Sequence, residues 1–296
     1  MRGYLPILLA GFAVTAPVAT RAQFVEECAT TTPAITALTG PVRTLCTGNT
    51  QGLVSERDAG ATLLVDEQRV FRGFIATRSD KALVFQGSTA YHGSVDDTIF
   101  WGTWLAGSIT EFDGERSSRH EQRAATPYVA GVDPGLFFRR DVFSGNVRSP
   151  LPTSGTVDYR LLGRPVISSD GNVTLANADN DRRPIDPGPI ENATVRVDFA
   201  SGAGVANVTF VVRGIRTDLR IPLRRRSTTS PFAADCGDEI PPHHCPSAEV
   251  RFYGRQGEFI GLDFHVPYQG VATHQAMAAA GLANARGHAV IALRRE

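Results

Sequence analysis

The sequence predicts an all-β protein in two parts, an N-terminal β-rich handle domain followed by a C-terminal eight-stranded antiparallel β-barrel. Three observations carry this expectation. The 296 residues are punctuated throughout by 29 Gly and 18 Pro. Apolar residues between these breaks alternate with polar ones in short stretches, the pattern of half-buried strands. The three-and-four spacing of an amphipathic helix is almost absent.

The chain opens with Arg2, an apolar run over 5–18 and the small-residue segment Ala19-Thr20-Arg21-Ala22. This is the pattern of a signal peptide, residues 1–22, cleaved near Ala22. Pro6 and Pro17 interrupt the run, which is too short for a good transmembrane helix. No cysteine follows it to carry a lipid. Cys28, Cys46, Cys236 and Cys245 form two local pairs in sequence, and four cysteines permit three connectivities. Proximity favours Cys28–Cys46 and Cys236–Cys245, each closing a short loop and each stabilising by about 2–3 kcal/mol. Export to an oxidising compartment agrees with this. His243 and His244 beside Cys245 raise a metal site as the competing reading, but zinc ligand spacings are tighter and more regular.

Residues 23–46 read as an irregular, disulfide-closed N-terminal arm. The handle domain follows over 47–147, with strands expected at 61–66, 70–77, 81–87 and 98–104, and a further one over 107–112. The charged stretch 113–123 (DGERSSRHEQR) reads as a solvated loop. A turn-rich segment from Ser149 to Gly155 places the boundary near Arg148, so the barrel spans 148–296. Its strands are expected at 155–162, 172–176, 192–200, 204–213, 216–224, 247–254, 257–266 and 286–294. Alternation assigns inward faces to Val195, Val197 and Phe199, to Ala206, Val208, Phe210 and Val212, and to Ile260, Leu262, Phe264 and Val266. Closing eight strands on themselves removes exposed sheet edges. Residues 271–285 are rich in Ala and read as a short helix or plug before the last strand.

Charge excludes one class of partner. Lys and Arg number 30, as do Asp and Glu, so the net charge is zero. A nucleic-acid binder needs a cationic face. The one basic run, Arg224-Arg225-Arg226, ends an alternating segment and reads as a solvated hairpin end.

No Gly-x-Ser-x-Gly elbow, His-Glu-x-x-His helix or phosphate-binding loop occurs. Asp96-Asp97 and Asp179-Asn180-Asp181 carry oxygen donors suited to calcium, but such clusters between strands are usually turns. The Asn-x-Thr triplets at Asn172, Asn192 and Asn207 read as strand composition. Haem is the sharper hypothesis, since it needs axial ligands in an aromatic pocket. His92 in the loop Thr89-Ala90-Tyr91-His92-Gly93 is the leading ligand, with His120 from the charged loop opposite. Tyr91, Trp101 and Trp104 would line the pocket. Trp101 and Trp104 are three apart and so face opposite sides of a strand; a sheet with one buried face takes only one of them into its core.

Several segments, in order, resemble transferrin-binding-protein-like bacterial surface proteins over roughly 98–296. Phe100-Trp101-Gly102-Thr103-Trp104-Leu105-Ala106-Gly107 resembles a Trp-Gly-x-Trp-x-x-Gly element that precedes the family's barrel, and Tyr128-Val129-Ala130-Gly131 a linker-side element. Leu151 to Tyr159 resembles the opening strand, Ala193 to Phe199 (ATVRVDF) the strand ending in Val-Asp-Phe, Phe252-Tyr253-Gly254 the late hairpin, and the Gly287 strand the closing one. The lipid-anchor cysteine of the surface lipoproteins is missing, the late hairpin reads Arg251-Phe252-Tyr253-Gly254, and a two-lobed receptor does not fit in this length. The resemblance implies a small single-barrel member, akin to secreted haem-binding relatives. It implies an exported, non-catalytic binding protein of the periplasm, cell surface or surroundings of a Gram-negative bacterium. Its ligand would be a host or environmental protein, or haem. The alternatives are a small outer-membrane barrel with a structural role, whose strands would need an apolar outer band, and an enzyme of unrecognised type.

Overall fold

The computed structural model describes residues 30–51, 61–76, 81–114, 116–121, 126–132, 151–172, 182–225, 232–237 and 244–296. The leader, Cys28, Asp179 to Asp181, His243 and the boundary near Arg148 lie outside the described residues. The protein is all-β, with one curled half-barrel and one closed barrel.

The half-barrel has seven strands: β1 (Val42–Gln51), β2 (Ala61–Asp66), β3 (Phe71–Ala76), β4 (Lys81–Val95), β5 (Ile99–Asp113), β6 (Arg116–Glu121) and β7 (Thr126–Val132). Their order is β4-β3-β2-β1-β7-β5-β6, and β4 also pairs along β5, so the sheet curls back on itself. Leu63, Leu64 and Val65 on β2 are all fully buried. The reason is that both faces of the sheet are covered. Leu63 and Val65 pack inside the curl with Phe71, Phe74, Phe85, Phe100 and Trp104. Leu64 packs on the other face with Ile75, Ala82, Val84 and Ile35. Ile35 comes from helix α1 (Pro33–Thr39), which Thr32 caps by accepting from the Ile35 N–H at 3.3 Å and which has Pro in its first turn. The stretch expected to be an irregular arm therefore supplies α1 and the start of β1. The stretch 113–123, expected to be a loop, contains strand β6, on which Arg116 and Arg119 are exposed.

Two features bend the long β4–β5 ribbon. Gly87 and Gly107 stand directly opposite each other with φ of 132° and 134°. A Cβ on Gly107 would lie 1.8 Å from the Gln86 carbonyl oxygen, so this close approach requires glycine. Register shifts between Ser88 and Thr89 and between Ala90 and Gly93 mark irregularities that raise the local twist.

The second sheet contains β8 (Thr156–Leu161), β9 (Val166–Asn172), β10 (Arg182–Asp198), β11 (Ala203–Val212), β12 (Ile215–Arg225), β13 (Phe232–Ala234), β14 (Ser247–Tyr253), β15 (Phe259–Pro267) and β16 (Ala285–Arg295). β8 and β9 run in one line between β10 and β16. β8 pairs with Thr194 to Asp198 and with Leu293 to Arg295; β9 pairs with Arg182 to Pro189 and with Ala285 to His288. Across the break at 162–165, the Leu162 N–H donates to the Ala292 carbonyl at 2.9 Å and the Pro165 carbonyl accepts from Ile190 at 3.0 Å. The two strands are one interrupted stave, and the barrel has eight staves.

The expected number of staves is thus correct, but their identity differs at two places. Of the segment expected at 172–176, residues 173–176 lie outside the described residues; the described strand there is β9, which ends at Asn172 and continues the first stave. The eighth stave is β13, within the connection 225–246. Gly163 and Pro165 break the alternation at the first place, and three residues are too few to show alternation at the second. The disulfide Cys236–Cys245, with Cα atoms 6.0 Å apart, closes the connection from β13 to β14.

Inside the barrel, Tyr159, Phe199, Phe232 and Phe252 contact one another ring to ring. The Tyr159 hydroxyl donates to the Gly257 carbonyl at 2.9 Å, and burial raises its pKa well above the ordinary phenol value. The Ala-rich segment forms a short helix α2 (His274–Ala279), as expected. Met277 and Leu282, fully buried, enter the barrel core there, and Arg213 at the β11–β12 turn donates to the Ala280 carbonyl at 2.6 Å. The outer wall is polar. Arg196 holds Asp158 through two bonds of 2.7 and 3.0 Å, which lowers the carboxyl pKa, and Arg216 pairs with Glu191 at 2.9 Å.

The two bodies share a third apolar cluster. Ile99 and Trp101 from β5 pack on Tyr253, Phe259, Val290 and Ala292 from the barrel wall, with Val95 and Leu162 at the margin. Trp101 sits between two glycines: a Cβ on Gly93 would come within 2.4 Å of its ring and one on Gly163 within 2.5 Å of its Nε1. Gly163 lies in the break of the first stave, so the break serves as the seat for the handle.

Two outcomes follow from this packing. Trp104→Ala, which empties a fully buried site, should cost roughly 3–5 kcal/mol in denaturant melts. Gly163→Ala adds a methyl against Trp101 at a residue with φ of 69°. It should cost about 1–3 kcal/mol and shift Trp101 emission to the red in a Trp104→Phe background. An unchanged spectrum would mean that the junction does not depend on this seat.

Candidate functional site

The irregular stretch of the β4–β5 ribbon is where most of the sequence-derived candidates fall. Between the pairs Ala90–Thr103 and Gly93–Trp101, two residues of β4, Tyr91 and His92, oppose the single residue Gly102. This is a β-bulge, a device that re-aims side chains and recurs beside binding sites. His92 is therefore in a strand at a bulge, not in a loop between strands. Its ring is exposed, and its Nδ1 lies 3.3 Å from the Thr89 hydroxyl. The Tyr91 side chain lies outside the described residues. Between Trp104–Thr89 and Ala106–Ser88, Leu105 is the extra residue of a second bulge, on β5. It is 38% exposed, against the burial of its apolar neighbours on the strand.

The two tryptophans do face opposite sides of β5, and both are buried. Trp104 enters the half-barrel core, stacked on Phe85 with centroids 5.6 Å apart. The Arg72 guanidinium lies 5.2 Å from its ring centroid, and Arg72 also bonds Asp66 at 2.7 Å. Trp101 is taken into the junction. The expectation that only one could be core assumed a sheet with a single buried face, whereas the barrel covers the second face.

His120 lies on β6, opposite Ile109. His92 sits at the Gly102 position on the other edge of β5. Seven positions separate Ile109 from Gly102, roughly 20 Å along a strand, with the glycine bend between them. The register does not bring the two histidines together, and both tryptophans are buried.

The other candidates resolve simply. Asp97 accepts from Arg43 at 2.9 and 3.3 Å and from Arg69 at 3.4 Å, so its carboxylate is shared between two guanidinium groups at the β4–β5 turn. Asn207 is a strand residue whose amide donates to Thr194 across the pair at 3.4 Å. Arg224, next to last on β12, lies 3.6 Å from Asp235. Sequence reasoning passed over Asp263, His265 and His288, which meet on the barrel wall. Its only signal was Asp-x-His on the outward phase of a strand whose inward phase is Leu262, Phe264 and Val266; the third member is supplied by register alone.

No protein-family model and no curated protein matches the chain. Among solved structures, it is similar to a surface lipoprotein at 13% identity and a TM-score of 0.34, over 86% of this chain and 97% of that one. It is similar to the isotype 1 transferrin binding protein B of serogroup B Neisseria meningitidis at 10% identity and a TM-score of 0.34, over 86% of this chain and 44% of that one. The haemoglobin receptor HpuA of Kingella denitrificans is similar at 10% identity and a TM-score of 0.25, over 85% and 86% of the two chains. The chain spans about half the length of the transferrin binding protein B structures that it matches.

Proposed function

We propose that this is an exported, non-catalytic binding protein that takes a protein ligand on the bulged β4–β5 surface of its handle domain. The observation that carries the reading is the contrast between filled interiors and one irregular exposed ribbon. The barrel is packed with side chains and closed by α2, and the half-barrel is filled around Trp104. A ligand must then be met from outside. The bulges present Leu105 and His92 to solvent on a ribbon anchored through Trp101 to the barrel. A rigid element with an exposed apolar residue suits a protein surface better than haem, which requires a pocket.

The disulfide Cys236–Cys245 supports export to an oxidising compartment. No helix among the described residues is long and apolar enough to cross a membrane. On the barrel wall, Arg196–Asp158 and Arg216–Glu191 lie on the outward faces of β8, β10 and β12, where a lipid-facing barrel carries an apolar band. The wall therefore favours water as its surroundings.

The test is capture on the immobilised protein, first with transferrin and haemoglobin as probes and then with the proteins of the surrounding medium. A specific protein should be retained, and Leu105→Asp should weaken its binding at least tenfold, the scale of a contact worth about 1.4 kcal/mol. A parallel haemin titration should give no His92-dependent Soret shift. A shift abolished by His92→Ala, without protein capture, would replace the protein reading by the haem one. Retention of neither would end the proposal.

A further inference from the structure

On the outer wall of the barrel, three metal-ligating side chains converge from two adjacent strands. Asp263 and His265 are two apart on β15 and share its outward face, since Leu262 and Phe264 between and beside them lie in the core. His288 on β16 stands directly opposite His265 and diagonal to Asp263. The two imidazole rings are parallel to within 9°, with centroids 3.9 Å apart. Both present Nε2 to the same oxygen of Asp263, His288 at 3.0 Å and His265 at 3.7 Å. All three donor atoms lie within 4.8 Å of one another.

We propose that Asp263, His265 and His288 form a binding site for a late first-row divalent cation, Zn(II) by preference. In tetrahedral zinc with nitrogen and oxygen ligands at about 2.0–2.1 Å, donor atoms stand roughly 3.3–3.5 Å apart. The two separations from Asp263, 3.0 and 3.7 Å, bracket that edge, and rotation of the side chains would aim the three donor atoms at one ion. The donor set of two imidazoles and one carboxylate is the borderline class that zinc, copper and nickel favour over calcium or magnesium. His265 is 55% exposed on its side chain, which leaves the fourth coordination position open to water or to a group from a partner.

The strands beneath make the site rigid. Phe264, Ala289 and Ile291 anchor β15 and β16 in the barrel core. Around the triad, Glu249 on β14 stands opposite Asp263 and bonds Arg251 at 2.5 Å. Val290, two residues beyond His288, is already under the handle domain, so the site lies at the lip of the junction. The proposal is independent of the bulged ribbon, which belongs to the other domain.

The experiment is a Zn(II) titration of the purified protein against a chromophoric chelator, with Co(II) as the spectroscopic probe. Wild type should take one tight equivalent, show the visible bands of tetrahedral Co(II) and gain thermal stability with Zn(II). His265→Ala, His288→Ala and Asp263→Asn should each weaken binding at least tenfold and remove those bands, while His92, His120, His243, His244 and His274 stay in place. Near-UV circular dichroism verifies the fold, and His265→Gln replaces any alanine variant that does not fold. Absence of tight binding in the wild type would overturn the site. So would unchanged binding in the variants, which would place the metal on the remaining histidines.

Discussion

The insertion of Trp101 between the handle and the barrel is the constraint on which the rest of the molecule depends. A large indole leaves its own half-barrel and seats itself against the barrel wall, with Gly93 on one side and Gly163 on the other. Ile99, Tyr253, Phe259, Val290 and Ala292 close around it. An indole dominates the energetics of such a contact because it buries a large apolar area. The seat exists because the first barrel stave is interrupted at 162–165. The barrel keeps its hydrogen bonds across the interruption through Leu162 and Pro165, and thereby gains a recess without opening an edge.

The motif Trp101-Gly102-Thr103-Trp104-Leu105-Ala106-Gly107 becomes a set of physical roles once this is seen. Trp101 serves the junction, Trp104 fills the half-barrel, Gly107 allows the ribbon to pass the Gln86 carbonyl, and Leu105 is the bulge residue turned to solvent. The segment spends its largest side chains on holding two bodies together, and what it leaves exposed is small and irregular. That division supports a binding role. The cores are filled where the pairing is regular, and irregular exposed surface arises where the pairing is broken. The barrel contributes a filled core, a polar wall and a disulfide-closed connection, and a cluster of metal-ligating side chains among its described residues lies beside the junction.

The fold class, the eight-stave number, the Cys236–Cys245 pairing and the inward faces of β10, β11 and β15 were legible in the sequence. Alternation and close cysteine spacing are local properties, and these strands are long enough to show them. The strand β6 was hidden because its charges mimic a loop, β13 because it is three residues long, and the continuity of β8 with β9 because Gly163 and Pro165 interrupt the pattern. Of the candidate residues, Trp104 and Trp101 were correctly placed on opposite sides of their strand. Which body each would enter was not legible, since that depends on a domain more than fifty residues away.

By itself, then, the sequence determined which side chains point inward and outward along the strands long enough to show alternation, because a strand's period of two is set by the backbone of the strand alone. Only the tertiary structure decided which outward residues become neighbours. Register separates His92 from His120, buries Trp101 under a second domain, and sets His288 directly across from His265. Such pairings join residues from different strands, and pairing between strands is settled by the closure of the whole sheet.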